Sequence, residues 1–264
     1  MFCRTTILVL GSLVFITFPS LAFCNIGIIV ALDNTYRHFA QAMVPGICHS
    51  VADREFCTGK LGEIPVVLVR SPMGKVNNAV TTQILISTFK VDSVISLSPA
   101  GAVNPELEVG DMVVASAVYQ HDFGTVKPYG FIWNTVPAGI SENGRHYNSY
   151  PVSGMKEFFS VQETCSNKIV KGVVVSGDQF VASGKKKNWL KSKFNASAVD
   201  MGAASIVQVC FANRVPVVVL RVITDRAGVN ARPTFAESVG GYRTDLDIFE
   251  LIKRLMANGL QKEL

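Results

Sequence analysis

Metal-binding patterns are missing from this chain. Its 6 cysteines include no C-x-x-C pair and its 4 histidines show no ligand spacing, so zinc or iron–sulfur chemistry has no support and no cofactor is expected. Also missing are a Pro/Ser-rich linker, a low-complexity tract and a repeat of fixed period, so nothing divides the chain into modules. Charge of one sign is scarce too. The net charge is +5 over 264 residues and falls to about +4 without Arg4, too little to imply a nucleic-acid partner. The only basic run, Lys185-Lys186-Lys187, reads as a solvated loop before a helix around Trp189 to Phe194, with anion binding as the minor alternative. No apolar run is long enough for a bilayer. The stretch Ile7 to Phe18 falls short of the roughly 20 residues needed. With Arg4 before it, Pro19 breaking it and Ser20-Leu21-Ala22 after it, this stretch reads as a signal peptide over residues 1–22.

What is present is a single apolar core. With 48% of its residues hydrophobic, the chain can bury one sizeable interior, and residues 23–264 are expected to form one domain. Export to the periplasm or outside the cell follows from the signal peptide, with no stable membrane insertion after cleavage. Cleavage removes Cys3, and Cys24 too if it falls slightly later, and leaves Cys48, Cys57, Cys165 and Cys210. In an oxidising compartment Cys48 and Cys57 close the shortest loop, whereas Cys210 reads as helix core.

Strands and helices alternate along the chain. Ile26 to Leu32 predicts a first strand and Asn34 to Met43 a helix. Val66 to Arg70 predicts a strand, followed by a turn at Ser71-Pro72-Met73-Gly74, a helix from Lys75 to Phe89 and a strand from Val94 to Leu97. Met112 to Val118 and Ile169 to Val175 add strands, and Asp245 to Asn258 predicts an amphipathic closing helix. Such alternation predicts a three-layer α/β domain whose sheet is largely parallel and covered on both faces. The continuous run from Val215 ends on Asp225 and reads as a buried central strand. Ligands of open α/β sheets gather where such strands end, so Asp225 is placed at a small-molecule site.

Five further segments follow predicted strands and carry the turn residues of the same opening: S-P-M-G-K-V, S-P-A-G-A, H-D-F-G, V-V-S-G-D-Q-F-V and T-D. Together with I-G-I-I-V-A-L, A-G-A-V-N-P-E-L-E-V-G-D, V-D-M-G-A-A and V-P-V-V-V-L-R-V-I-T-D, their order resembles the nucleoside phosphorylase and nucleosidase superfamily. The branch it resembles most is the 5′-methylthioadenosine/S-adenosylhomocysteine nucleosidases. That resemblance implies a three-layer α/β/α fold with a mixed, curved central sheet, a homodimer, and hydrolysis of a purine nucleoside at its N-glycosidic bond. It implies Asp225 as the catalytic acid that protonates the departing base, supported by Thr224. Phe180 is implied to stack on the base, Val181 to bond it through its backbone, Phe235 to cover it, Met201 to pack on the ribose, and Arg221 to brace the site.

Three positions depart from the family pattern. Thr35 stands where a water-activating glutamate is expected, Gly202 where a glutamate would hold the ribose hydroxyls, and Pro99 where a serine lies in the glycine-rich turn. Asp33 and Asp200 lie two residues from the first two losses and are the candidate replacements for the water activator. Arg37 is the nearest candidate phosphate ligand, read as lying on a solvated helix face, and G-K-V follows the hydrolytic pattern. His121-Asp122-Phe123 and Tyr129 to Asn134 are candidates for the 5′ subsite, and the segment from Lys127 to Ser153 for a lid. The competing reading is an exported nucleoside-binding or storage protein without catalysis.

Overall fold

The computed structural model describes residues 25–137, 146–147, 150–152, 168–241 and 252. The segment expected to be a signal peptide, Cys165, nearly all of the predicted closing helix and much of the candidate lid lie outside the described residues. Strand β1 (Ile26–Val30) leads into helix α1 (Asp33–Ala42). Strands β2 (Val44–Val51), β3 (Arg54–Leu61) and β4 (Ile64–Arg70) then form an antiparallel meander. Helix α2 (Lys75–Ser87), β5 (Ser93–Ala102) and β6 (Met112–Gln120) follow. A hairpin of β7 (Gly124–Lys127) and β8 (Gly130–Trp133) comes next. The short strands β9 (Val136–Pro137) and β10 (His146–Tyr147) pair with each other, and β11 (Tyr150–Pro151) pairs with β6. The chain continues through β12 (Ile169–Ser176), α3 (Gly184–Phe194), β13 (Ala196–Asp200), α4 (Ala203–Ala212), β14 (Val217–Asp225) and α5 (Ala231–Gly241).

The sheet is mixed rather than largely parallel. β1 pairs in parallel with β4 and β5, and β14 with β5, but β14 runs antiparallel to β6 and β13 antiparallel to β5. Alternation of helices and strands misses this because β2 and β3 enter as a meander without a crossover helix. β14 touches both β5 and β6, while β6, β12, β13 and β5 are joined in sequence, so these five strands close into a ring. The curvature that closure demands is accompanied by register shifts in β12 and at the end of β14.

Alternate residues of the strands feed two cores, as the two-residue side-chain period requires. Val67, Val69, Val94, Val217 and Val219 pack under Leu85 of α2 and Ile206, Val207 and Cys210 of α4. Leu68, Ile95, Leu97, Val218 and Leu220 face the other way, against Phe39 of α1 and Ile252. Helices therefore cover both faces, and Cys210 is core as expected. Cys48 and Cys57 sit opposite each other on β2 and β3 and form a disulfide. No helix among the described residues is long and apolar enough to cross a membrane.

Candidate active site

A cavity of about 290 Å³ opens where β1, β4, β5, β13 and β14 end, near the lower limit of typical ligand pockets. Asp225 closes β14 and is only 3% exposed. Its Oδ1 accepts the Ala227 N–H at 2.8 Å, and its Oδ2 lies 3.4 Å from the Thr224 hydroxyl, which is also 3.3 Å from the Ala100 carbonyl. Burial pushes the Asp225 carboxyl above the ordinary aspartate range, against the pull of those two donors and of Lys187. The carboxyl fits because residue 101 opposite it is glycine: a Cβ there would stand 2.8 Å from Oδ1. A buried acid whose pKa is raised on a cavity wall is suited to general-acid work.

The other cavity walls carry the expected binding residues. Phe180 and Phe235 meet edge to face, with centroids 5.7 Å apart and planes at 76°. Val181 and Met201 line the same space. The Arg232 guanidinium lies 5.2 Å from the Phe180 ring centroid and leaves that ring cation-capped at the rim.

Arg221 points inward from β14 and is fully buried, so its charge needs a partner. Asp200 at the end of β13 provides it, at 2.7 Å from Nε. The same carboxylate accepts the Ala203 N–H and the Ser176 hydroxyl, while Arg221 Nη1 donates to the Ser96 carbonyl and hydroxyl and to Leu220 O. Asp200 is thus the counter-ion of Arg221 with three donors already bound, which leaves it badly placed to take up a water. Asp33 is not brought into the cavity lining: it is exposed at the start of α1 and pairs with Arg70 at 3.0 Å. Thr35 is buried outside that lining as well. Among the described residues that line the cavity, Asp200 and Asp225 are the only carboxylates.

Other expectations move. His121 is fully buried and Asp122 pairs with Lys75 at 2.7 Å, and neither lines the cavity. Residues 129–134 lie on or beside the β7–β8 hairpin, outside it. The lysine run is not a loop before α3 but its first turn, where Lys186 lies 4.1 Å from the Trp189 ring centroid and Lys187 donates to Arg226 O. Arg37 is exposed and does not line the cavity. Sequence reasoning missed Arg70 and Asn78, both of which line the cavity; the turn S-P-M-G that brings Asn78 there was legible, but the side chain's direction was not.

A strand-end cavity with an aromatic pair on one side and a buried carboxyl of raised pKa on another defines an α/β enzyme domain that acts on a small molecule. The chain belongs to the phosphorylase superfamily, whose family model matches residues 25–245. It is 34% identical over 211 residues to a 5′-methylthioadenosine/S-adenosylhomocysteine nucleosidase of Staphylococcus aureus, covering 80% of this chain and 90% of that one. Among solved structures, a 5′-methylthioadenosine/S-adenosylhomocysteine nucleosidase of Colwellia psychrerythraea in complex with adenine superposes with a TM-score of 0.77 at 28% identity, over 88% of this chain and 96% of that one. The futalosine hydrolase of Helicobacter pylori does so with a TM-score of 0.77 at 26% identity, over 90% and 99%.

Proposed function

We propose that the protein hydrolyses the N-glycosidic bond of a purine nucleoside of the 5′-methylthioadenosine/S-adenosylhomocysteine type and releases the free base. The observation that carries this is Asp225: a buried carboxyl, its pKa raised by burial, that fits opposite Gly101 on the wall of a cavity that also holds Phe180 and Phe235. The relatives named as nucleosidases agree with it. As the bond from sugar to base lengthens, the base takes the Asp225 proton and leaves neutral, and the sugar develops oxocarbenium character. Phe180 holds the base by stacking and Phe235, nearly perpendicular to it, covers the base, while Arg221, neutralised by Asp200, fixes the floor between β13 and β14. A cation of this kind reacts readily with water: the water oxygen bonds to the sugar carbon, and the proton it releases replaces the one Asp225 gave to the base, so leaving-group protonation carries the barrier and water needs only to be admitted.

Hydrolysis is favoured over phosphorolysis because Arg37 is outside the cavity and Arg70, the cation on its rim, is already paired with Asp33. The second reading, a nucleoside-binding protein without turnover, is favoured by the commitment of Asp200 and the absence of Asp33 and Thr35 from the lining. Incubating the purified protein with adenosine, inosine and their 5′-thio derivatives, with and without phosphate, separates the readings. Free base and free sugar are expected. Binding without base release would establish the second reading, and ribose 1-phosphate formed in proportion to phosphate would overturn hydrolysis.

Export and dimerisation belong to the same proposal. The signal-like segment over residues 1–22 and the Cys48–Cys57 disulfide both suit an oxidising compartment, and the family resemblance suits a homodimer. N-terminal sequencing of the mature protein and sedimentation in solution test the two.

A further inference from the structure

Gly202 opens α4 on the cavity wall, and the space that its missing side chain leaves is already taken. A Cβ at 202 would stand 2.6 Å from Asn78 Nδ2, 2.8 Å from Cγ and 3.1 Å from Oδ1. The Asn78 carboxamide therefore lies flat against this glycine, 8% exposed, on the lining of the cavity. It is held in place from several sides. Nδ2 donates to Gly74 O at 2.9 Å and Pro72 O at 3.3 Å, the backbone N–H donates to Gly74 O, and Asn78 O accepts the Thr82 hydroxyl at 2.7 Å. With both amide hydrogens bound to carbonyls, the group's remaining capacity is that of an acceptor: its oxygen, with two lone pairs.

We propose that Asn78 Oδ1 accepts a hydrogen bond from a hydroxyl of the substrate's sugar, and that residue 202 is glycine so that this carboxamide can reach the cavity. The idea rests on the nucleoside reading above and goes beyond it by naming a neutral reader of the sugar. A fixed neutral acceptor adds selectivity for the hydroxylated sugar without adding another carboxylate to the lining that holds Asp225. Being rigid, it loses little conformational freedom when the ligand arrives.

The test compares 5′-methylthioadenosine with its 2′-deoxy and 3′-deoxy analogues. Binding is read by titration calorimetry and adenine release separately, on the wild type, Asn78→Ala and Gly202→Ala. The second variant displaces the carboxamide without removing it, and thermal denaturation checks that each variant is folded. The wild type is expected to disfavour one deoxy analogue by about tenfold, and both variants to reduce that preference to within about twofold. Equal weakening of all three ligands in the variants would make Asn78 a purely structural residue and overturn the proposal. So would a wild type that binds all three alike. If the hydroxyl preference follows Asn78 and no adenine appears, the inference stands and the hydrolase reading falls. If adenine is released without any hydroxyl preference, the reverse holds.

Discussion

Replacing Asp225 with asparagine changes one property of the site and keeps its shape. The amide oxygen still accepts the Ala227 N–H, bonded at 2.8 Å in the native protein, and the amide nitrogen takes the place of Oδ2 beside Thr224. The new side chain can offer a hydrogen bond to the base but cannot give up a proton. Loss of a general acid costs on the order of 10²–10⁴ in rate, which is about 2.7–5.4 kcal/mol of transition-state stabilisation. The loss should fall on kcat, with KM near the native value. Stability moves the other way. Burial raises the folded pKa of Asp225 above its unfolded value, so the stability linked to its proton is fully present below the unfolded pKa and is lost as pH rises through the folded one. At neutral pH the carboxyl thus weakens the fold, and the asparagine variant should melt at or above the native temperature. Wild-type kcat should decline as pH climbs through that raised pKa, while the residual rate of the variant should not follow it. Adenine release followed chromatographically, with thermal denaturation at neutral and acidic pH, reads all three. Cleavage within about threefold of wild type would refute the assignment of the proton to Asp225.

Gly101→Ala should lower kcat on the order of 10²-fold by pushing the Asp225 carboxyl off its position, 2.8 Å from the new methyl, and cost about 1–3 kcal/mol in denaturant; unchanged turnover would contradict the fit argued for that glycine. Arg221→Met leaves Asp200 charged and alone in the interior and should cost about 3–5 kcal/mol. Adding Asp200→Asn should recover much of that loss, and strictly additive effects in urea melts would deny the pair its coupling. Cys48→Ser with Cys57→Ser opens a loop closed across a sequence separation of 9 and should lower stability by about 2–3 kcal/mol. Adenine release should be unaffected, since no residue of β2 or β3 lines the cavity, and a parallel fall in kcat would argue that the hairpin supports the site.

The apolar runs made the sheet strands readable. Val217 to Asp225 is continuous and β-branched because both faces of β14 are covered, and its abrupt end on a carboxylate marked the cavity before any geometry was known. The meander of β2 and β3 was not readable, since its exposed residues carry no apolar alternation and Pro45 and Gly46 look like loop. Direction of strands was equally hidden: local pattern says that a strand is buried, not which neighbour it meets. At the site, Asp225, Thr224 and Met201 reach the cavity from strand ends and Phe180 and Val181 from the loop after β12, while Arg221 points in from the middle of β14 and Phe235 from α5. Asp33 and Asp200 were chosen by proximity in sequence, which is blind to counter-ions. Arg70 claims the first and Arg221 the second, partners that lie 37 and 21 residues away along the chain.

Closure of β5, β14, β6, β12 and β13 into a ring deprives each of these strands of a free margin. Fraying needs such a margin, so the least secure backbone falls to β2, which ends the sheet and faces solvent along nearly its whole length. Under thermal or chemical stress the molecule should loosen first there, in the disulfide-tied fringe, with amide exchange running far ahead of that in β14. The wall that carries Asp225 would then be among the last parts of the protein to give way.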